Sequence, residues 1–426
     1  MTLCKHLSEK YRPYAVILFG AIFVYGLVYL FSGDFCLTAR NPYNSYSRQA
    51  AQWLLGSLDL GENVPWLELA VYEGRYFVSF PPFPSIVLLP FVLVFGINTP
   101  DNAIAFVVSL CSLVYAYKIG YKLLGNKNYA VLMSLFLILG TNYLHISLWG
   151  SVWYIAQNMA FLFTLMSFYY ALTDNSKHSF ISLFAMCAAM GCRPFNALYL
   201  PVVLCLLFKR EKAGKIQGSS FLGFLKRLFL YSIPAIFLGS FYMWLNYARF
   251  GNIFEFGHNY LPEFVNDPYG QFYAGRILGN LGRMFFNFNI TEFPMFHGFA
   301  FWVASPIVVS YFVCLGLFVY KVVRGTVLLT TCHENRPSDN FAGLIFVLLF
   351  LTILHIIAFS FHRTLGGHQF GSRYTVDTLP AFYLGMLFML RTLKLDKKIY
   401  LNIVPMIFGL VLNFIGTVMF MTYYYG

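Results

Sequence analysis

Charge is what this sequence is short of. Only 11% of its 426 residues are Asp, Glu, Lys or Arg, where a soluble domain carries about a quarter. With 59% hydrophobic residues and a mean hydropathy of +0.64, a water-soluble globule is excluded and a polytopic membrane protein is indicated. Acids are scarcer than bases, 17 against 29. No two stand in DxD spacing, which disfavours a nucleotide-sugar enzyme acting through a metal-bound diphosphate on the cytoplasmic side. P-loop, GxSxG and HExxH patterns are missing as well. The eight cysteines (4, 36, 111, 187, 192, 205, 314 and 332) lie mostly in apolar stretches without a CxxC pair. They read as structural thiols rather than disulfides or a metal site. No small-residue cleavage site follows the apolar run at 14–31, which is therefore read as an uncleaved first helix. Internal repeats, heptads and low-complexity segments are absent, as is the inverted-repeat symmetry of many transporters.

What is there is aromatic and apolar. Phe (48) and Tyr (31) lead an aromatic share of 20%, which suits lipid-facing helices, interfacial belts and sugar-stacking surfaces. Hydrophobic runs fall at 14–31, 102–117, 129–147, 152–172, 179–191, 195–208, 228–247, 299–320, 341–361, 379–390 and 399–421. A spanning helix needs ~20 residues, or fewer where polar ends dip in. The run at 84–97 is short. Counting it as a span would turn Lys118, Lys122 and Lys127 outward, against the positive-inside rule. Read as an interfacial helix, it leaves about eleven transmembrane helices, with the N-terminus inside and the C-terminus outside. The expected fold class is thus an all-α polytopic membrane protein forming one domain over residues 1–426.

In that topology every lysine falls inside, and the outer cations are all arginine: Arg40, Arg48, Arg75, Arg193, Arg249, Arg276, Arg283, Arg363 and Arg373. The net charge of +12 is then a cytoplasmic property. It is explained by insertion and by contact with anionic membrane lipids, and calls for no nucleic acid. Arginine forks onto phosphate and keeps its charge when half-buried, so the outer face is a candidate phosphate binder. Two outer loops are large, at 32–101 and 248–298, and the first is expected to hold juxtamembrane helices. Tyr46, Gln49, Ala50, Trp53, Leu54 and Leu58 follow helical spacing with one apolar side.

The stretch Trp66–Pro90, WLELAVYEGRYFVSFPPFPSIVLLP, places Glu68, Glu73 and Arg75 among Trp66, Tyr72, Tyr76 and Phe77, then turns apolar. Carboxylates and an arginine at that depth form a site hypothesis, because holding them near hydrocarbon is costly. Glu68 is the favoured catalytic carboxylate, able to deprotonate an acceptor hydroxyl with its pKa raised by partial burial. Asp34, just beyond the first span, is the second catalytic candidate. A solvated loop acid is the plain alternative for each. Further on, GCRPFN leaves Arg193 at a turn, either anchoring the interface or binding phosphate. The turn HRTLGGHQFGSRYTVDTLP brings His362, His368, Arg373 and Asp377 together with three glycines. Arg373 and Asp377, four apart, are placed to share a helical face and form a salt bridge. His258 and His297 read as polar loop residues rather than metal ligands. The substrate-binding candidates are Arg373, Arg193, Arg276, Glu73, Arg75, Tyr76, His258, His368 and Asp377. No metal ligand is assigned, although the first-loop carboxylates can hold a divalent metal ion with an acceptor's help.

The order of these pieces resembles the GT-C superfamily of integral-membrane glycosyltransferases, nearest to the protein O-mannosyltransferase and aminoarabinose transferase type. The resemblance rests on EGRYFVSFPPFPSIVLLP after the first loop, CRP at 192–194, and FGSRYTVDTLP before the tenth span. It runs from near residue 40 to near residue 385. It implies a polyprenyl-phosphate sugar donor, a glycan, lipid or protein acceptor, an acidic base in the first outer loop, and arginines on the lipid phosphate. One departure stands out. Many relatives carry an acid soon after the first helix where this chain reads RNPYN, with Asn41 and Asn44. The base is then Asp34 or Glu68, or the activity has been lost. Two other readings stay open: a polymerase or ligase of lipid-linked glycans with a diphosphate donor, and a non-catalytic lipid or polysaccharide transporter.

Overall fold

The computed structural model describes residues 2–33, 36–213, 221–289, 295–296, 298–325, 341–395 and 398–425. Asp34, His297 and Cys332 lie outside the described residues. The chain is a helical, multi-pass membrane protein with only short strands among its described residues. Helix α1 (Thr2–Phe31) leads into the first large loop, which holds α2 (Ser45–Leu54), the hairpin β1–β2 (Leu69–Tyr72 and Arg75–Val78) and α3 (Phe83–Phe95). There follow α4 (Asp101–Leu124), α5 (Lys127–Leu139), the single turn α6 (Tyr143–Ile146), α7 (Val152–Leu172), α8 (His178–Met190), α9 (Leu200–Ala213) and α10 (Phe221–Phe250). The second large loop carries α11 (Pro262–Val265) and α12 (Ile277–Phe286). The chain ends with α13 (Phe301–Ala304), α14 (Ile307–Val323), α15 (Ala342–Ser360), α16 (Leu379–Thr392) and α17 (Ile403–Tyr425).

Each of the eleven apolar runs therefore contains a helix. Six of the described helices (α1, α4, α7, α10, α15 and α17) are long and apolar enough to cross a membrane, while α5, α8, α9, α14 and α16 are shorter. Two short ones are lengthened by a shared device. The 3₁₀ segments Pro194–Tyr199 and Arg373–Thr378 run directly into α9 and α16, and each helix opens on Leu-Pro (Leu200-Pro201, Leu379-Pro380). Proline is tolerated there because the first-turn N–H groups have no helical partner. Six 3₁₀ residues rise about 12 Å and fourteen α residues about 21 Å, so each composite reaches about 33 Å, enough for the hydrocarbon core.

Helix α7 is the centre of the bundle, with 72% of its most apolar window buried, packed against α4, α8 and α9. By contrast α10 buries only 11% of that window and faces outward, where apolar side chains such as Phe229, Phe237 and Trp244 meet lipid. The segment 84–97, expected as an interfacial helix, forms α3 with a short 3₁₀ extension and packs on α2 and α7. The expected first-loop helix is α2, which ends before Leu58.

The hairpin is set by its turn. Glu73 and Gly74 take φ of 49° and 72°, the left-handed pair that a two-residue hairpin turn requires. Leu69 then pairs with Val78, and the ladder hands on to Glu68 and Ser79, where the Ser79 hydroxyl donates to the Glu68 carbonyl at 3.0 Å. Arg249, fully buried at the end of α10, donates to the Val78 carbonyl and locks the hairpin to the bundle.

Candidate active site

A cavity of about 870 Å³ opens at one end of the bundle. Its walls come from residues 41–46 and the base of the hairpin, from 149–156, from 192–195, from 254–272 and from 359–374. These are the segments that the charge pattern assigned to the outer face. Phe420 of α17 closes one side. The N-terminal ends of α7 and of the two 3₁₀ segments all lie at this wall, so unpaired N–H groups and helix dipoles add positive potential there.

Glu68 lines the cavity with its side chain largely removed from solvent. The indole N–H of Trp153 donates to Oε2 at 2.8 Å, and Trp153 is itself packed against Tyr43, ring centroids 5.0 Å apart. Burial raises the Glu68 pKa above the usual carboxylate range. The Trp153 bond pulls it down, Glu263 pushes it up, and Arg373 lowers it. A carboxyl perturbed in this way by desolvation and held at a cavity wall has the properties of a general base.

Arg373 faces the same space. It is 5% exposed, stacks over Tyr154 and Tyr374 at 5.4 and 5.1 Å, and donates from one terminal nitrogen to the Gly366 carbonyl at 3.3 Å. Its Nε and Nη1 are buried without a partner, and no carboxylate of the described residues pairs with it within 4.0 Å. Gly366 makes this possible: at φ 111° a Cβ there would sit 2.7 Å from the Arg373 Nε. A buried cation with open donors is costly unless an anion completes it.

Arg193 is differently placed. Its Nε donates to Asp377 Oδ2 at 2.9 Å, and its guanidinium lies 5.2 Å from the Tyr374 ring, which thus stands between two arginines. Asp377 also accepts from Gln157 at 2.6 Å. The expected Arg373–Asp377 ion pair does not form. The segment is 3₁₀, with three residues per turn, so positions four apart diverge. Asp377 reaches Arg193 across the bundle instead.

Two histidines also line the cavity, with ring centroids 6.0 Å apart, and His362 packs on the Tyr374 ring at 5.6 Å. His258 Nδ1 lies 3.1 Å from the Ser79 carbonyl, which assigns its proton to Nδ1. His362 Nδ1 donates to the Thr364 carbonyl at 2.7 Å, and its Nε2 accepts from Gln271 at 3.1 Å. Burial pulls the two pKa values down to about 4 and about 3, and the His258 ring adds to the fall at His362. Both rings are neutral at physiological pH. Glu263 lines the cavity too, its pKa raised by burial and lowered by Arg363, to which it is paired at 3.3 Å.

Of the sequence-derived candidates, Glu68, Arg193, Arg373, His258 and His368 line this cavity, and Asp377 stands directly behind Arg193. Glu73, Arg75 and Tyr76 do not line it. They sit at the hairpin tip, where Arg75 faces Asp59 at 3.6 Å. Arg276 does not line it either, because Asp267 (2.8 Å) and the carbonyls of Gly270 and Gln271 take its donors inside the second loop. Two residues that the sequence reading passed over matter here, Trp153 and Gln157, and Gly366, expected only to allow a tight backbone, makes room for the Arg373 guanidinium. The signal for Gln157 was an amide inside an apolar span. No group of three His, Cys, Asp or Glu fit to hold a metal ion occurs among the described residues.

No family model matches the sequence, and no curated protein matches it. Solved structures do. Apo ArnT from Cupriavidus metallidurans is 14% identical with a TM-score of 0.47, over 88% of this chain and 59% of that one. The same protein bound to undecaprenyl phosphate is 12% identical with a TM-score of 0.49, over 90% and 61%. The apo oligosaccharyltransferase of Archaeoglobus fulgidus is 13% identical with a TM-score of 0.47, over 97% and 56%. Both neighbours are GT-C glycosyltransferases. The chain spans about three fifths of the length of these structures.

Proposed function

We propose that the protein is a GT-C type glycosyltransferase. It moves a hexosyl or pentosyl group from a polyprenyl-phosphate donor to an acceptor hydroxyl at the outer face of the cytoplasmic membrane. The observation that carries this reading is Arg373, a buried guanidinium whose Nε and Nη1 have no hydrogen-bond partner and which lines the same cavity as Glu68. A phosphate oxyanion satisfies such donors with charge-assisted hydrogen bonds. The charges of Arg193 and Arg276 are already balanced by Asp377 and Asp267, which favours a monophosphate over a diphosphate.

In this mechanism the donor phosphate lies on Arg373 with its sugar in the cavity, and the polyprenyl chain leaves between helices. Glu68 takes the proton of the acceptor hydroxyl. The acceptor oxygen bonds to the anomeric carbon as the bond from that carbon to the phosphate oxygen breaks. The electron pair goes to the lipid phosphate, whose growing charge Arg373 stabilises. A single displacement inverts the anomeric centre. The N-terminus inside and the site outside follow from the lysine distribution. Substituting Glu68→Gln keeps the volume and removes the base. The expected result is turnover of the co-purifying donor lost with undecaprenyl monophosphate still bound; full turnover would remove Glu68 from this role.

A further inference from the structure

We infer that the first two turns of α7 are the common mount for both halves of this site: Trp153 is a positioning residue for Glu68, and Gln157 is one for the segment that carries Arg373. The inference rests on the reading of Glu68 and Arg373 above and adds what sets their spacing. Residues four apart on a helix lie on one face. Trp153 holds Glu68 Oε2 through its N–H at 2.8 Å. One turn on, Gln157 donates to the Arg373 carbonyl at 2.7 Å and to Asp377 Oδ1 at 2.6 Å. Between them Tyr154 supplies the ring under the Arg373 guanidinium. The turn itself is pinned, since the Val152 N–H donates to the Tyr43 carbonyl at 3.0 Å.

The consequence is chemical as well as geometric. With Oε2 engaged by the indole, Oε1 is the oxygen left for an acceptor proton. The carboxylate and the phosphate-binding arginine then keep a fixed separation, because one rigid helical turn in a largely buried helix sets both. Raised by burial and lowered by the Trp153 bond, the Glu68 titration reports directly on this contact.

The test needs no turnover. The infrared band of the protonated Glu68 carboxyl, identified as the one lost in Glu68→Gln, is titrated in wild type and in Trp153→Phe. It is titrated again with β-(3-benzothienyl)alanine at position 153, which keeps the indole shape and removes only the N–H. The expected midpoint rises by about one pH unit in both, because a hydrogen bond to the charged form has been lost. Undecaprenyl monophosphate binding stays as in wild type. Gln157→Leu should do the reverse, weakening undecaprenyl monophosphate about tenfold while the Glu68 midpoint holds. A midpoint unmoved by the benzothienyl side chain overturns the role of Trp153, and unchanged lipid affinity in Gln157→Leu overturns that of Gln157. A Glu68→Gln protein with full turnover would sink the proposed base yet leave the titration and lipid binding readable, so the two failures are separable.

Discussion

His258 and His362 make acid stability the most quantitative test of how this site is packed. Their pKa values, about 4 and about 3, lie below the ~6.5 of a histidine in the unfolded chain. A depressed histidine contributes stability that is present above the unfolded pKa and is lost as pH falls toward the folded one. At pH 5 the unfolded chain is protonated at both positions and the native state at neither. Linkage then gives about 2 kcal/mol lost per histidine between pH 7 and pH 5, or about 4 kcal/mol for the pair. The assay is thermal unfolding in mild detergent at pH 7, 6 and 5, comparing wild type with the double variant His258→Gln, His362→Gln. The double variant should show a pH dependence shallower by that amount, whatever its absolute stability, because glutamine does not titrate. Parallel curves would refute the assignment of both rings, His258 half-buried and His362 buried, as neutral.

Asp377→Asn leaves the Arg193 charge uncompensated at a site where Asp377 is 4% exposed. A cost of about 3 kcal/mol is expected, read as a lower unfolding temperature in detergent, while wild-type stability would contradict the pairing. Gly366→Ala places a methyl 2.7 Å from Arg373 Nε on a backbone at φ 111°. It should weaken undecaprenyl monophosphate at least tenfold by moving the guanidinium, and unchanged affinity would show that the arginine is not held against that turn.

Much of the fold was legible because membrane helices advertise themselves. Each apolar run contains a helix, and the arginine-only segments are those that meet in the cavity. Hydropathy does not distinguish α from 3₁₀. The tightened turns at 194–199 and 373–378 were therefore invisible, and with them the pairing of Asp377 to Arg193 rather than to Arg373. The hairpin shows the same limit. Glu68 and Glu73 look alike in sequence, five residues apart. The turn at Glu73-Gly74 puts one at the base of the ladder beside the cavity and the other at its tip. Arg276 looked like a phosphate ligand until Asp267 and two carbonyls took its donors. An ion pair inside one loop leaves no trace in spacing or charge count. Trp153 and Gln157 were hidden for another reason. An aromatic and an amide in an apolar span are ordinary, and only tertiary geometry aims them at Glu68 and at the Arg373 segment.

The central claim is that Arg373 holds the phosphate of a polyprenyl-linked donor. Mass spectrometry of lipid co-purifying with the protein in mild detergent, repeated on Arg373→Ala, tests it most directly. A polyprenyl monophosphate or its glycoside is expected with wild type and is lost in the variant. Bulk phospholipid alone in both preparations, or a polyprenyl lipid retained undiminished by Arg373→Ala, would contradict it.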